Sequence, residues 1–253
     1  MKETVIHVEN ATVRFNIATE RVDSIKEYFV KKVKGQLHFQ EFLALKDINL
    51  DIKHGESWGI VGSNGAGKST LLKLICGILA PDRGKVGTNG SIAPLLELGA
   101  GFDPELTAGE NIFLEGALLG HSREFMQEHY DEIVEFSELW EFMKMPIKNY
   151  STGMQARMGF SIATLVQPDI MIIDEVLAVG DAAFRRKCEK RIREMLERAA
   201  TLLFVSHDNE MVKRLCTKAI WLKKGEIVMT GNAREVCDAY AEFYQKKAEQ
   251  YLI

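Results

Sequence analysis

One glycine-rich stretch, Gly62–Thr70, constrains the fold of this chain more than any other feature. It follows the short apolar run 58–61, which predicts a buried strand. It precedes apolar residues at the spacing of one helix face. A strand, a glycine loop and a helix in this order are the context that a phosphate-binding loop, or P-loop, requires. The sequence therefore predicts an α/β fold built around a P-loop.

The residue types of this stretch suit the binding of a polyphosphate. Glycine has no Cβ, so the backbone can turn its N–H groups inward, towards an anion at the start of the next helix. Lys68 supplies a cation for the β and γ phosphates, and the Ser69 hydroxyl is a ligand for Mg²⁺. The alternative is a strand–helix turn that binds nothing. The residues predicted to contact the nucleotide are Ser63, Asn64, Gly65, Ala66, Gly67, Lys68, Ser69 and Thr70.

Composition excludes several classes of protein. A hydrophobic fraction of 46% and a net charge of -4 are typical of a globular protein and disfavour a dedicated nucleic-acid binder, which usually carries a basic surplus. The four cysteines lie far apart and form no CxxC pair, which indicates reduced thiols of a cytosolic protein. No run approaches the roughly 18 apolar residues that span a bilayer. We therefore expect a chain that does not cross a membrane by itself, although it can lie on one.

The N-terminal region contains an insertion. Two short strands, 5–8 and 11–15, are predicted before it, and residues 16–42 interrupt the strands. Within the insertion, a capping box at Ser24 and Glu27 predicts a short amphipathic helix over Ser24–Lys34 with four lysines. It either lies at a membrane or a membrane partner, or is a surface helix that covers the core. Four lysines give about 4 kcal/mol at an anionic surface, roughly millimolar binding, so membrane attachment would need a protein partner.

The rest of the chain alternates strands and helices. Residues 44–52 alternate as a half-buried strand, a strand pair is predicted within 86–98, and 107–142 is helical, with Trp140 in its apolar set. Continuous apolar runs at 170–173 and 201–205 predict strands buried in a parallel sheet, and a hairpin covers 219–229. We predict a single domain, 1–253. Its parts are a core of 1–98 and 166–232, a helical subdomain of about 99–165, and a C-terminal helix of 233–253.

Polar residues follow both buried runs. Asp174 is placed to hold Mg²⁺ opposite Ser69, and the adjacent Glu175 is placed to accept a proton from an attacking water. An Asp-Glu pair after a strand can also be a simple helix cap. His207 follows the second run, and its strand should lie beside the other two, which would bring the imidazole to the phosphates. A lone histidine in such a place is otherwise structural.

These elements together resemble the nucleotide-binding subunit of ATP-binding-cassette (ABC) transporters over nearly the whole chain. The segment Tyr150–Gln155, here called the signature segment, is similar to that family's Leu-Ser-Gly-Gly-Gln, although Thr152 and Met154 differ from the usual residues. The resemblance implies that Ser151 and Gly153 reach the γ phosphate bound on a second copy. It implies a P-loop NTPase (RecA-like) core with a parallel sheet, an antiparallel β subdomain and a helical subdomain, with ATP and Mg²⁺ as cofactors.

The resemblance assigns further residues by their place in the sequence. Asp181 matches the aspartate of the family's D-loop, and His207 matches its switch histidine. Glu97 is the nearest match to the glutamine of the Q-loop, which is a departure from the family pattern. Phe15 is the best match to the aromatic residue that stacks on adenine, and Phe42 is a rival.

The resemblance also extends to one branch of the family. The Leu-Gly loop after Glu97, the N-terminal insertion and the signature segment are similar to subunits that export lipid-linked O antigen, capsule, teichoic acid or rhamnose-rich polymers. This implies a homodimer that works with two copies of a separate permease on the cytoplasmic face of a bacterial inner membrane. Some O-antigen members carry a C-terminal carbohydrate-binding domain, and this chain is expected to end before one.

Two other functions compete with export. A non-transport ABC ATPase of DNA repair would carry a long coiled coil between the P-loop and the signature segment, and one of translation would usually hold two cassettes. A P-loop kinase or metabolic transferase would leave the signature segment and His207 without a role. This chain has only a short helical segment between the P-loop and the signature segment, a single cassette and a net charge of -4. For these reasons we expect no nucleic-acid partner.

Overall fold

A computed structural model describes residues 3–18, 39–95, 98–174, 181–198 and 200–250 of the chain. The predicted helix Ser24–Lys34, Glu97 and Glu175 lie outside these residues. Within the described ranges, no helix is both long enough and apolar enough to cross a bilayer.

Strands and helices alternate along the described ranges. The strands are β1 (Thr4–Ala18), β2 (Phe39–Lys53), β3 (Ser57–Val61), β4 (Arg83–Thr88), β5 (Ile92–Leu95), β6 (Ile170–Ile173), β7 (Thr201–Val205), β8 (Lys218–Lys223) and β9 (Glu226–Asn232). The helices are α1 (Lys68–Ile75), α2 (Ala108–Leu118), α3 (Arg123–Glu128), α4 (Tyr130–Ser137), α5 (Thr152–Ala163), α6 (Ala182–Glu197), α7 (Asn209–Leu215) and α8 (Ala233–Gln250). Two 3-10 turns, Trp140–Phe142 and Ile147–Asn149, connect α4 to α5.

The larger sheet of the described strands has the order β5-β6-β7-β3-β8-β9. Its strands are parallel from β5 to β8, and β9 is antiparallel to β8. Every residue of β3, β6 and β7 is buried, as the continuous apolar runs predicted. The placement of β7 between β6 and β3 is also as predicted, and it aligns the carboxyl ends of these three strands at one edge.

The smaller sheet is antiparallel, with the order β2-β1-β4. The prediction of two short strands at 5–8 and 11–15 was wrong, because one strand runs through both. A bulge at Asn10, with φ of 48°, shifts the register between Val8 and Ala11 and leaves both side chains buried. The predicted start of the insertion at residue 16 was also wrong, since β1 continues to Ala18 and pairs there with Phe39 of β2.

The strand pair predicted within 86–98 is divided between the two sheets. β4 pairs with β1 in the antiparallel sheet, and β5 pairs with β6 in the parallel sheet. The turn between them contains Gly90, with φ of 113°. Asp169 fixes the start of β5, because its Oδ2 accepts hydrogen bonds from the backbone N–H and the hydroxyl of Ser91. These bonds hold the pKa of Asp169 below its usual range.

The helical stretch predicted over 107–142 is three separate helices. A capping box begins α2: the Glu110 N–H donates to Thr107 Oγ1 at 3.3 Å, and the Thr107 N–H donates to Glu110 Oε2 at 2.8 Å. Trp140 was predicted in the core, but it is 54% exposed. The reason is that α4 ends at Ser137 and its C-cap, Glu138, has φ of 61°, so Trp140 lies in a 3-10 turn outside the helix.

The four cysteines are free thiols, as predicted from their spacing. Burial raises the pKa of Cys76 and of Cys237 to about 11, and that of Cys188 to about 12. A protonated thiol is neither a good nucleophile nor a good metal ligand. The cysteines therefore act as small apolar side chains.

Asn111 organises the entrance to the helical subdomain. Its side chain is fully buried, accepts a hydrogen bond from the Asp103 N–H, and donates to the carbonyl oxygens of Asp103, Leu106 and Thr107. Asn111→Ala removes the acceptor of the Asp103 N–H, while the three carbonyl oxygens each keep a backbone N–H donor, so we expect a loss of about 1–3 kcal/mol in the free energy of unfolding. Urea unfolding followed by circular dichroism measures it. The exposed Gln127→Ala is the control and should change by about 0.5 kcal/mol or less. An equal effect of both variants would contradict this role of Asn111.

Candidate nucleotide-binding site

The P-loop runs from the end of β3 to the start of α1, as the sequence predicted. Gly67 caps α1 with φ of 106°, and a Cβ there would lie 2.6 Å from the carbonyl oxygen of Ala44. A Cβ at Gly62 would lie 2.3 Å from the carbonyl oxygen of Leu222. Strands β2 and β8 therefore approach the loop so closely that only glycine fits at these two positions.

Lys68 reaches back over the loop that precedes it. It is 7% exposed, and its Nζ donates to the carbonyl oxygens of Gly62 at 2.9 Å and Ser63 at 3.2 Å. These bonds close the loop into a ring around the ammonium group. The arrangement places a fixed positive charge beside the N-terminus of α1, where an anion is favoured.

A cavity of about 310 Å³ opens at this ring. The described residues that line it were each predicted from the sequence as site residues, and they are Asn64, Gly65, Gly67, Lys68, Ser69, Thr70 and His207. His207 reaches the cavity because it follows β7, the strand beside β3. A larger cavity of about 450 Å³ lies between α2, α3 and α4 and contains no P-loop residue. The polar lining of the smaller cavity suits a phosphate chain.

Ser69 and Asp174 meet at the same edge of the sheet. The Ser69 hydroxyl donates to Asp174 Oδ2 at 3.3 Å. A hydroxyl and a carboxylate are the hard oxygen donors that Mg²⁺ prefers, and Mg²⁺ usually completes its shell with phosphate and water. The described part of the chain contains no group of three or more His, Cys, Asp or Glu side chains that could hold a metal alone. The Ser69 hydroxyl and the Asp174 carboxylate are suited to supply two oxygen ligands to a Mg²⁺.

Ser151 and Asp181 each cap a helix. Ser151 Oγ accepts a hydrogen bond from the Met154 N–H at 3.2 Å, at the start of α5. Asp181 Oδ1 accepts from the N–H groups of Ala183 and Phe184 at 2.8 and 2.9 Å, at the start of α6. These amides, with Arg157, hold the pKa of Asp181 below its usual range. Ser151 and Asp181 are not among the described residues that line the P-loop cavity.

Phe15 and Phe42 lie directly opposite each other on β1 and β2. They are 40% and 46% exposed, and neither lines the P-loop cavity. Exposed aromatic rings can stack on a base. Because Phe15 and Phe42 are cross-strand neighbours with similar exposure, either ring could stack on adenine. The choice of an adenine-stacking residue therefore stays a prediction.

Arg157 was missed by the sequence analysis. It lies on α5, after the signature segment, and donates to Asp181 and to Glu138 Oε2. Nothing in the spacing of these residues indicates that they meet. Only the packing of α5 against α6 brings them together.

A family model described as "ABC transporter" matches residues 45–178. The match covers more than half of the chain and includes the P-loop, Asp174 and the signature segment. The chain belongs to the ABC transporter family. Family membership accounts for the P-loop, the Ser69–Asp174 pair and the capped signature helix in one fold.

Relatives within the ABC transporter family match almost the whole chain. The O-antigen export system ATP-binding protein RfbB of Klebsiella pneumoniae is 43% identical over 242 residues, which are 95% of this chain and 98% of that protein. The teichoic acids export ATP-binding protein TagH of Bacillus anthracis is 39% identical over 241 residues. That alignment covers 95% of this chain and 43% of the relative.

The solved structures that resemble the chain are ATP-binding cassettes. A dimeric, post-hydrolysis state of the cassette MJ0796 bound to ADP and Pi has a TM-score of 0.73 at 23% identity. It covers 90% of this chain and 98% of that one. The predicted fold class, a P-loop NTPase core with an antiparallel β subdomain and a helical subdomain, is therefore confirmed.

Proposed function

We propose that the chain is the ATP-binding and ATP-hydrolysing subunit of an ABC exporter that moves a lipid-linked polysaccharide across the cytoplasmic membrane. The observation that carries the proposal is the alignment with RfbB, an O-antigen export ATP-binding protein, over 98% of that relative's length. The P-loop cavity supplies the chemistry such a subunit needs. A DNA-repair or translation ATPase is disfavoured, because the curated relatives described above carry export names.

The nucleotide in this proposal is ATP with Mg²⁺. The P-loop N–H groups and Lys68 hold the phosphates, while Ser69 and Asp174 hold the metal. Ser69 and Asp174 would hold Mg²⁺ beside the phosphates, where its charge would offset theirs. Glu175 accepts the proton of the attacking water, and His207 contacts the γ phosphate from the end of β7. Glu97 in the Q-loop position orients metal or water.

The active form in this proposal is a homodimer, with each signature segment on the other copy's ATP. Gly153 supports this arrangement. Among the described residues, a Cβ at Gly153 would meet only Ser151 Oγ, at 3.8 Å, and these residues leave room for a side chain there. The exposed start of α5 offers N–H groups and a positive helix end that its own P-loop does not use. A phosphate bound on a second copy uses both.

The partners outside the homodimer are two copies of a transmembrane permease. Closure of the dimer around ATP would drive a conformational change in the permease. Hydrolysis of ATP would then reopen the dimer. The chain would then work as a peripheral subunit on the cytoplasmic face of the bacterial inner membrane. The single domain proposed over 1–253 is the ATPase of the exporter, and the permease contacts the polysaccharide.

This function is tested by purifying the tagged full-length chain from membranes of the bacterium that produces it. We expect a multi-spanning membrane protein to co-purify in detergent. Cells that carry only Lys68→Ala should lose their surface polysaccharide and accumulate its lipid-linked precursor. Recovery of ribosomes or DNA in place of a membrane protein, with normal surface polysaccharide in the variant, would contradict the proposal.

A further inference from the structure

Arg157 occupies an enclosed position between three elements. It extends from α5, and its side chain is 18% exposed. One terminal nitrogen donates to Asp181 Oδ2, and the other donates to Glu138 Oε2 at 3.1 Å. The guanidinium also lies over the ring of Phe184, 4.7 Å from its centroid. Two carboxylates and a ring face therefore hold the group, a fit that the planar guanidinium suits and the lysine ammonium does not.

Asp181 uses its two carboxylate oxygens for different helices. Oδ1 accepts the N–H groups at the start of α6, and Oδ2 accepts Arg157 from α5. The position of Arg157 on α5 is itself fixed by the helix that Ser151 caps. A shift of the signature segment relative to Asp181 must therefore break or stretch the bond between Arg157 and Asp181.

Glu138 anchors the other side of the guanidinium. It ends α4 in a left-handed conformation, and Lys187 of α6 donates to its Oε1 at 3.0 Å. Lys187 also donates to the carbonyl oxygen of Phe136 at 2.9 Å. Arg157 of α5 and Lys187 of α6 thus both donate to the carboxylate of Glu138. This carboxylate therefore joins the helical subdomain to α6, the helix that follows Asp181.

We propose that Arg157 is a positioning residue that holds the signature segment and Asp181 in one fixed arrangement, so that both reach the partner copy's nucleotide together. The inference rests on the proposed function for the role of the dimer. The structural half of the proposal is that Arg157 of α5 holds Asp181, and this can be tested in the free chain without nucleotide. Arg157 acts through Asp181 and Ser151 and is not among the described residues that line the P-loop cavity of its own chain.

The chain offers a matched control in Arg191. Its guanidinium also joins α6 to α4, by a 3.3 Å ion pair with Glu132, and lies 4.7 Å from the ring centroid of Phe136. Among the described residues, Arg191 has no hydrogen bond or ion pair with Asp181, so Arg191→Gln removes a similar contact without freeing Asp181.

The first readout is amide exchange in the full chain without nucleotide. Arg157→Gln should speed exchange at Ala183 and Phe184, whose N–H groups bond to Asp181, by about tenfold or more, since the cap loses its outer support. Arg191→Gln should leave these two amides unchanged. Equal exchange in the wild type and Arg157→Gln would overturn the structural half of the proposal, whether or not the chain hydrolyses ATP.

The second readout is the split between kcat and KM for ATP. Arg157→Gln should lower kcat by about tenfold or more, because misplacement of groups that meet the nucleotide is costly. The KM should stay within about twofold, since the P-loop is intact. Arg157→Lys should recover part of kcat, and Arg191→Gln should keep it. Equal losses of kcat in Arg157→Gln and Arg191→Gln, or a change in KM alone, would overturn the positioning role. If the wild type neither binds nor hydrolyses ATP, the proposed function is wrong. Amide exchange at Ala183 and Phe184 still tests whether Arg157 supports Asp181 in the free chain.

Discussion

Lys68→Ala is expected to abolish ATP binding at micromolar nucleotide. The substitution removes a buried ammonium group at the centre of the P-loop ring. Hydrogen bonds to charged groups are worth about 1.5–3 kcal/mol each, so the loss of two phosphate contacts weakens affinity by about a hundredfold or more. Isothermal titration calorimetry with Mg²⁺ and ATP measures the change.

A second lysine on the same helix provides the control for Lys68→Ala. Lys73 lies in the last turn of α1, away from the cavity, so Lys73→Ala should bind ATP within about threefold of the wild type, a difference below 1 kcal/mol. The melting temperature of each variant shows that the fold is kept. Unchanged ATP affinity in a folded Lys68→Ala would contradict the assignment of the P-loop.

Glu175→Gln is expected to bind ATP with normal affinity and to lose hydrolysis. Glutamine keeps the size of the side chain and leaves Asp174, the proposed metal ligand, in place, but it cannot accept a proton from water. General-base catalysis contributes about 10²–10⁴-fold, so kcat should fall within that range. Single-turnover hydrolysis of radiolabelled ATP measures the chemical step apart from product release.

Glu210→Gln is the matched control for this amide substitution. Glu210 lies on α7, its exposed carboxylate pairs with Lys213 at 3.0 Å, and it does not line the P-loop cavity. Its variant should hydrolyse ATP at the wild-type rate. Near-normal turnover in Glu175→Gln would remove Glu175 from the role of base and leave His207 as the remaining assigned catalytic residue.

The sequence was a good guide to the parallel sheet because local patterns determine it. The continuous apolar runs before Gly62, Asp174 and Ser206 indicate strands buried on both faces, and all three are. Local patterns were a poor guide where the backbone departs from regularity. Asn10 looked like a break between two strands, but a bulge keeps β1 continuous. Trp140 continued the helical spacing, but the left-handed Glu138 ends the helix before it.

The site was predictable only where each residue directly follows its strand. The P-loop, Asp174 and His207 meet because the carboxyl ends of β3, β6 and β7 share one edge. The contact between Arg157 and Asp181 could not be predicted, because it depends on how α5 packs against α6. The roles proposed for Ser151 and Gly153 depend on a second chain, so no property of one chain fixes them.

In the proposed mechanism, two copies of the chain share each ATP site. The molar mass of the Glu175→Gln variant in solution with ATP tests this sharing most directly. Gly153→Asp in the same background is the control. An aspartate there has room and favours the start of α5, but it would repel a phosphate bound on the partner.

Light scattering during size-exclusion chromatography with Mg²⁺ and ATP should give twice the 28.5 kDa of one chain for Glu175→Gln. With ADP it should give one chain, and the Gly153→Asp double variant should stay a single chain while it still binds ATP. A Glu175→Gln chain that is saturated with ATP and remains at 28.5 kDa would contradict the account.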